Sequence, residues 1–235
     1  MSSTPPPVFV PAQIHELRAE TPEHVHFELA APPEYLSAYT IPGQYVQIQI
    51  QTEGMKPAFF AMASGPARER FEFLVKRGSP IGAAIAARKS GETLHLSAPA
   101  GKGYPLAQGT GRDVFLVGSG TGISPLRSLM HTLLSRRSEF GRIVFLYGAR
   151  KTCLVPYSAE VEQWKAAGVQ TACIISQPDA GTWDGPTGHV QRLVADLRPN
   201  ANCAVFVCGQ KPMVEGVKAA FAEAGVGAER VFQNF

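Results

Sequence analysis

The spacing of apolar residues changes once along this chain, near Gly109, and that change limits what it can fold into. Before it, short apolar alternations broken by glycine and proline cover residues 8–17, 25–29, 45–50, 59–62, 71–75 and 93–96. A period of two bounded by turn residues predicts strands. Five or six of them, with one helix over residues 81–88, predict a small antiparallel barrel. Beyond a turn-rich stretch at 104–111 the rhythm becomes strand, glycine-containing turn, helix. Strands are expected at 114–117, 143–147, 171–175 and 204–207, and helices at 125–135, 158–167, 189–197 and 212–224. This alternation predicts a parallel sheet covered on both faces, with ligands at the carboxyl ends of its strands. The expected architecture is two domains: an antiparallel β-barrel over residues 1–108, then an α/β parallel-sheet domain over residues 109–235.

Composition narrows the partners. Gly and Pro supply 23 and 19 of the 235 residues, against roughly 12% in average usage, which marks a turn-rich folded chain. Twenty-two Lys+Arg against 19 Asp+Glu leave a formal charge of +3, with no basic stripe for a phosphate backbone, so nucleic acid is excluded as a partner. No apolar run approaches the roughly 20 residues that span a bilayer. The opening MSSTPPPVFV lacks the charged and apolar regions of a secretion signal, so a cytoplasmic location is expected. Cys153, Cys173, Cys203 and Cys208 show no CxxC or clustered spacing, and free thiols without metal are expected. His24 and His26, two apart on a strand pattern, are expected to share one sheet face.

Two loops carry the chemistry. Gly118-Ser119-Gly120-Thr121-Gly122-Ile123-Ser124-Pro125 follows an apolar strand and opens a helix. Glycines there let a ligand approach the backbone, and the free amides of a helix start attract a pyrophosphate. A second apolar strand, 204–207, ends in Cys208-Gly209 and opens a helix at Lys211-Pro212-Met213. In a parallel sheet Cys208 would share an edge with Gly120. Two glycine loops on one edge predict a dinucleotide crevice, so the second domain is expected to bind a nucleotide.

These motifs resemble, in order, those of the ferredoxin–NADP reductase-like flavoprotein reductases. Pro42-Gly43-Gln44-Tyr45-Val46 is similar to that family's P-G-Q-aromatic strand start, and Lys56-Pro57-Ala58-Phe59-Phe60-Ala61-Met62-Ala63-Ser64 occupies the place of its flavin strand. Residues 118–126 are similar to its pyrophosphate loop, and Tyr147-Gly148-Ala149-Arg150 and Cys208-Gly209 match two later loops. The resemblance implies an FAD-binding barrel and a domain for NADH or NADPH. It implies that Tyr45, Ala58, Phe60, Ala61, Val75, Lys76, Gly82 and Ala83 stand at the flavin. Gly120, Thr121, Gly122, Arg150, Ser176, Gln177, Gly209 and Met213 would then stand at the nicotinamide nucleotide, and Cys208 beside the nicotinamide, orienting it.

The chain departs from that pattern at the flavin strand, which in the family reads Arg-x-Tyr-Ser/Thr; here the positions hold Ala58, Phe60 and Ala61. Phe60 keeps an aromatic face, whereas Ala58 cannot replace a bidentate cation. Lys56, Lys76 or Arg77 could supply the charge, Lys76 being best placed, or all three are solvated surface cations. Gly82 falls where Ser or Thr is common, which leaves phosphate binding to backbone amides around residues 78–83. The terminal Phe235 either stacks on the flavin, as terminal aromatics in the family do, or closes the core with Phe232. Ser176-Gln177 replaces the Ser-Arg of members that prefer the 2′-phosphate, which favours NADH, although Arg150 and Lys151 could compensate.

The expectation is therefore a flavin-dependent NAD(P)H oxidoreductase, in which hydride passes from nicotinamide to flavin. Its electrons would go on to a separate protein or a diffusible quinone or dye. The rival reading is a degenerate reductase-like nucleotide-binding module or partner subunit without flavin turnover, motivated by Ala58, Ala61 and Gly82.

Overall fold

Strands β1 (Val10–Thr21), β2 (His24–Ala30), β3 (Tyr45–Gln49), β4 (Ala58–Ala61), β5 (Phe71–Lys76) and β6 (Thr93–Leu96) form one antiparallel sheet in the computed structural model, ordered β4-β3-β6-β1-β2-β5. The structure describes residues 7–52 and 54–234. The two edges meet just past β4, where the Ala63 amide donates to the Glu72 carbonyl at 2.7 Å and the Glu72 amide to the Ser64 hydroxyl at 3.1 Å, so the sheet curls into a barrel. Alternation drives the curl. In β3, Val46 and Ile48 point inward between half-buried neighbours, and Phe27 stacks on Phe73 at 5.1 Å in the same core.

Two short helices flank the barrel. α2 (Pro80–Ala86) begins with Pro80 in its first turn, and its N-cap Ser79 accepts from the Gly82 amide at 3.1 Å. α1 (Pro33–Ala38) departs from the expectation of a single helix here. Its six residues are too few for an apolar period to show, and it forms because Pro33 fixes the first helical φ.

The second sheet is parallel and ordered β11-β10-β7-β8-β9, with β7 (Val114–Ser119), β8 (Ile143–Ala149), β9 (Gln170–Ile175), β10 (Ala204–Cys208) and β11 (Val231–Phe232). Its three central strands are buried almost throughout, so their residues alternate between two cores. Leu116, Phe145 and Phe206 pack with α3 (Ile123–Ser135) and α4 (Ser158–Ala166), whereas Phe115, Val117, Val205 and Val207 pack with α5 (Leu193–Leu197) and α6 (Lys211–Glu223). The helix expected over 189–197 is divided, with a 3₁₀ turn at Val190–Arg192 leading into α5. Among the described residues no helix is long and apolar enough to cross a membrane.

Candidate active site

The chain runs from β7 outward through β8 to β9 and then returns to lay β10 on the other side of β7. The loops leaving β7 and β10 therefore diverge from one point on the carboxyl edge, the place where open α/β sheets bind ligands. Cys208 pairs in register with Gly118. A Cβ on Gly122 would collide with the Cys208 carbonyl and lie 3.0 Å from the Gly209 amide, so only glycine lets the two loops close on each other. Gly120 has φ +54 and open space where a side chain would be. The buried Tyr147 hydroxyl donates to its carbonyl at 2.9 Å, which fixes that exposed backbone in place.

A cleft of about 900 Å³ lies over this edge and is walled on its other side by the barrel, a size suited to a large organic ligand. Gly120, Thr121, Gly122, Cys208, Gly209 and Met213 line the sheet side, with Arg150, Ser176 and Gln177 further along the same edge. Tyr45, Phe60, Ala61, Val75 and Lys76 line the barrel side. Phe59, 66% exposed, meets the Tyr45 ring edge-on at 5.2 Å. Three residues expected at the flavin lie off the cleft wall: Ala58 packs against the barrel core, Gly82 is buried inside the turn beneath Lys76, and Ala83 is exposed. The amides of Gly82 and Ala83 are already bonded to Ser79, at 3.1 and 2.8 Å. The amide cradle expected around residues 78–83 is therefore closed at these two positions. Phe235 lies outside the described residues.

Charge at the mouth of the cleft is shared around one carboxylate. Glu23, from the β1–β2 turn, pairs with Lys76 at 3.3 Å and with Arg150 across the cleft. Lys151 pairs with Asp179 at 2.7 Å. Deeper in, burial pushes the Cys208 thiol up to about 11, so it stays protonated at neutral pH and acts as a small apolar group.

Behind the cleft a buried polar knot joins the two domains. Arg127 of α3 donates to the Ala63 carbonyl at 2.9 Å and Glu72 at 2.5 Å on the barrel, and to both oxygens of Glu160 at 2.8 Å. Its guanidinium lies 4.7 Å from the centre of the Tyr157 ring, whose hydroxyl bonds His26 Nδ1 at 3.0 Å. Sequence spacing places Ser124 in the first glycine loop but gives no role to its side chain, nor to Asn234 or Glu23. Their signal is burial and partnership, which local spacing does not carry.

The cleft fits a flavin and a nicotinamide nucleotide: aromatic and apolar groups on one wall, an open glycine backbone on the other, and between them two buried oxygens, on Ser124 and Asn234, without a partner among the described residues. A second hollow of about 670 Å³ between α5 and α6 lies away from the strand ends and shares with the cleft only Gln191.

The chain is similar in sequence and in fold to known proteins. Residues 116–219 match the oxidoreductase NAD-binding domain family. The chain is 29% identical over 205 residues to the sulfhydrogenase 1 gamma subunit of Pyrococcus furiosus, covering 85% of this chain and 70% of that one. It is 25% identical over 206 residues to an NAD(P)H-flavin reductase of Aliivibrio fischeri, covering 83% and 85%. The crystal structure of a ferredoxin NADP+ reductase from Neisseria gonorrhoeae with bound FAD and NADP superposes with a TM-score of 0.82 at 15% identity, covering 96% of this chain and 97% of that one.

Proposed function

We propose that the chain is a ferredoxin–NADP reductase-like flavoprotein reductase that takes reducing equivalents from NADH, in preference to NADPH, through FAD to a separate acceptor. The observation that carries this reading is the single cleft walled by the glycine loops of the parallel sheet and by the aromatic strand of the barrel. In this reading residues 1–108 hold FAD and residues 109–235 the nicotinamide nucleotide. FAD, when bound, supplies the hydride acceptor and the electron donor.

The protein's own part is alignment and exclusion of water. Phe60 and Tyr45 offer aromatic surface to a flat ring. The Gly120–Gly122 turn offers backbone to a pyrophosphate. Cys208, protonated at neutral pH, serves as a packing and orienting contact for the nicotinamide. NADH is favoured because the cations that could greet a 2′-phosphate are engaged: Arg150 on Glu23 and Lys151 on Asp179. The acceptor is a protein or a diffusible quinone or dye.

The test is optical. The purified chain should be yellow, or turn yellow with added FAD, and its visible absorbance should bleach anaerobically with NADH faster than with NADPH. A protein that takes up no flavin overturns the reading. Cys208→Ala should slow bleaching at saturating NADH with flavin still bound, and an unchanged rate would remove Cys208 from its role.

A further inference from the structure

Ser124 is 2% exposed, lines the cleft, and its hydroxyl has no hydrogen-bond partner among the described residues. A buried polar group without a partner is destabilising, and folded proteins retain few of them. The Asn234 carboxamide oxygen shares that condition, but its amide nitrogen donates to the Gly43 carbonyl at 2.9 Å, which accounts for its place in the fold. Among the described residues nothing accounts for the Ser124 hydroxyl in this way.

The direction of Ser124 follows from the helix that carries it. Residues 124, 127, 128 and 131 of α3 share one face, and that face runs along the barrel segment after β4. His131 packs on Gly65, where an added Cβ would come within 3.1 Å of it. One turn earlier, Arg127 bonds the Ala63 carbonyl, and Ser128 bonds the Tyr39 hydroxyl that donates to the Ser64 carbonyl at 2.9 Å. Each helical turn, about 5.4 Å, thus matches about two extended residues, roughly 6.6 Å. The next turn carries Ser124 and sets it opposite residues 61–62. There β4 brings Phe60 and Ala61 to the cleft, and Ala61 has no side-chain polar atom to offer.

We infer that Ser124 is a flavin-binding residue. Its hydroxyl, able to donate and accept, reaches from the parallel-sheet domain to a nitrogen or carbonyl oxygen of the flavin ring lying against Phe60. This rests on the flavin site proposed above. It adds that the ring is gripped by both domains, with the hydroxyl that β4 lacks supplied by α3.

The experiment titrates FAD into the flavin-free full chain, following fluorescence quenching and the visible spectrum of the bound flavin. Ser124→Ala should raise the FAD Kd about tenfold, the worth of one hydrogen bond, and shift the visible bands. Flavin-free Ser124→Ala should melt no lower than wild type, because an unsatisfied hydroxyl has been removed. Adding Ala61→Ser should recover affinity. Unchanged Kd and spectrum in Ser124→Ala overturn the inference and leave the flavin reading standing, and a lower melting temperature of the flavin-free variant also overturns it by assigning the hydroxyl to the fold. A wild-type chain that binds no FAD overturns both.

Discussion

A side chain at Gly82 would collide with the Lys76 carbonyl and stand 2.7 Å from the Ser79 hydroxyl. The glycine that looked like the loss of a phosphate-binding Ser or Thr is therefore a packing requirement of this particular turn. Gly82→Ser should not tighten FAD binding; it should destabilise the fold by about 1–3 kcal/mol, as overpacking does, read as a lower urea midpoint. Gly122 has the same character on the other wall, where Gly122→Ala would push the β7 and β10 loops apart and should raise the NADH KM while also lowering the urea midpoint. Sequence spacing located both glycines. What it did not carry was the reason for them, because the atoms they avoid, on Lys76 and Cys208, belong to other strands or turns. The same holds for Ser124 and Asn234, since the absence of a partner is a tertiary property that a single chain segment does not display.

At the scale of elements, α3 does two jobs with one sequence. Its first turn closes the glycine loop, and one or two turns later Arg127, Ser128 and His131 dock the barrel. The strands were legible because period-two runs and buried Val/Phe/Leu segments are local signals, and the six-strand and four-strand patterns appear in the structure with bounds shifted by a few residues. α1 was not legible because six residues have no period to read. The Arg127 knot was not legible because Glu72 and Glu160 lie 55 and 33 residues away along the chain. Burial works against the Glu160 carboxylate, yet His131 at 3.7 Å and the Arg127 guanidinium outweigh it and hold the carboxyl down at about 2. Arg127→Met should therefore strand two carboxylates and cost about 3 kcal/mol, the low end for a broken buried pair because both glutamates keep some water. A urea midpoint equal to wild type would show that the knot contributes specificity without stability.

Across the whole molecule the width of the cleft depends on how firmly the barrel is held to the parallel sheet, and several of the holding groups are polar. Tyr157 is central. It sits at φ +54, donates its backbone amide to the Glu20 carboxylate at 2.7 Å, stacks under Arg127 and bonds His26. His26 faces Tyr157, Arg18, Glu72 and Arg127, and His24 bonds Thr21 at 2.8 Å beside Glu23 and Lys76. Burial lowers both imidazole pKa values from the ordinary 6.5, and for His26 the positive charge of Arg18 lowers it further. In the folded chain both rings therefore stay neutral below pH 6.5, while in the unfolded chain they take up protons as the pH falls through that value. The unfolded state then holds more protons, so stability is fully present above about pH 6.5 and is lost as the pH falls toward the folded pKa values, by up to about 1.4 kcal/mol per unit for each histidine. Glu160 adds its own loss only below 4.5, toward about 2. Urea midpoints should hold level from pH 7.5 to 6.5 and fall from 6.5 to 5.5, and His26→Gln should remove about half of that fall. A midpoint unchanged between pH 6.5 and 5.5 would mean that the two histidines take up protons without loosening the joint, and that its other contacts hold the cleft.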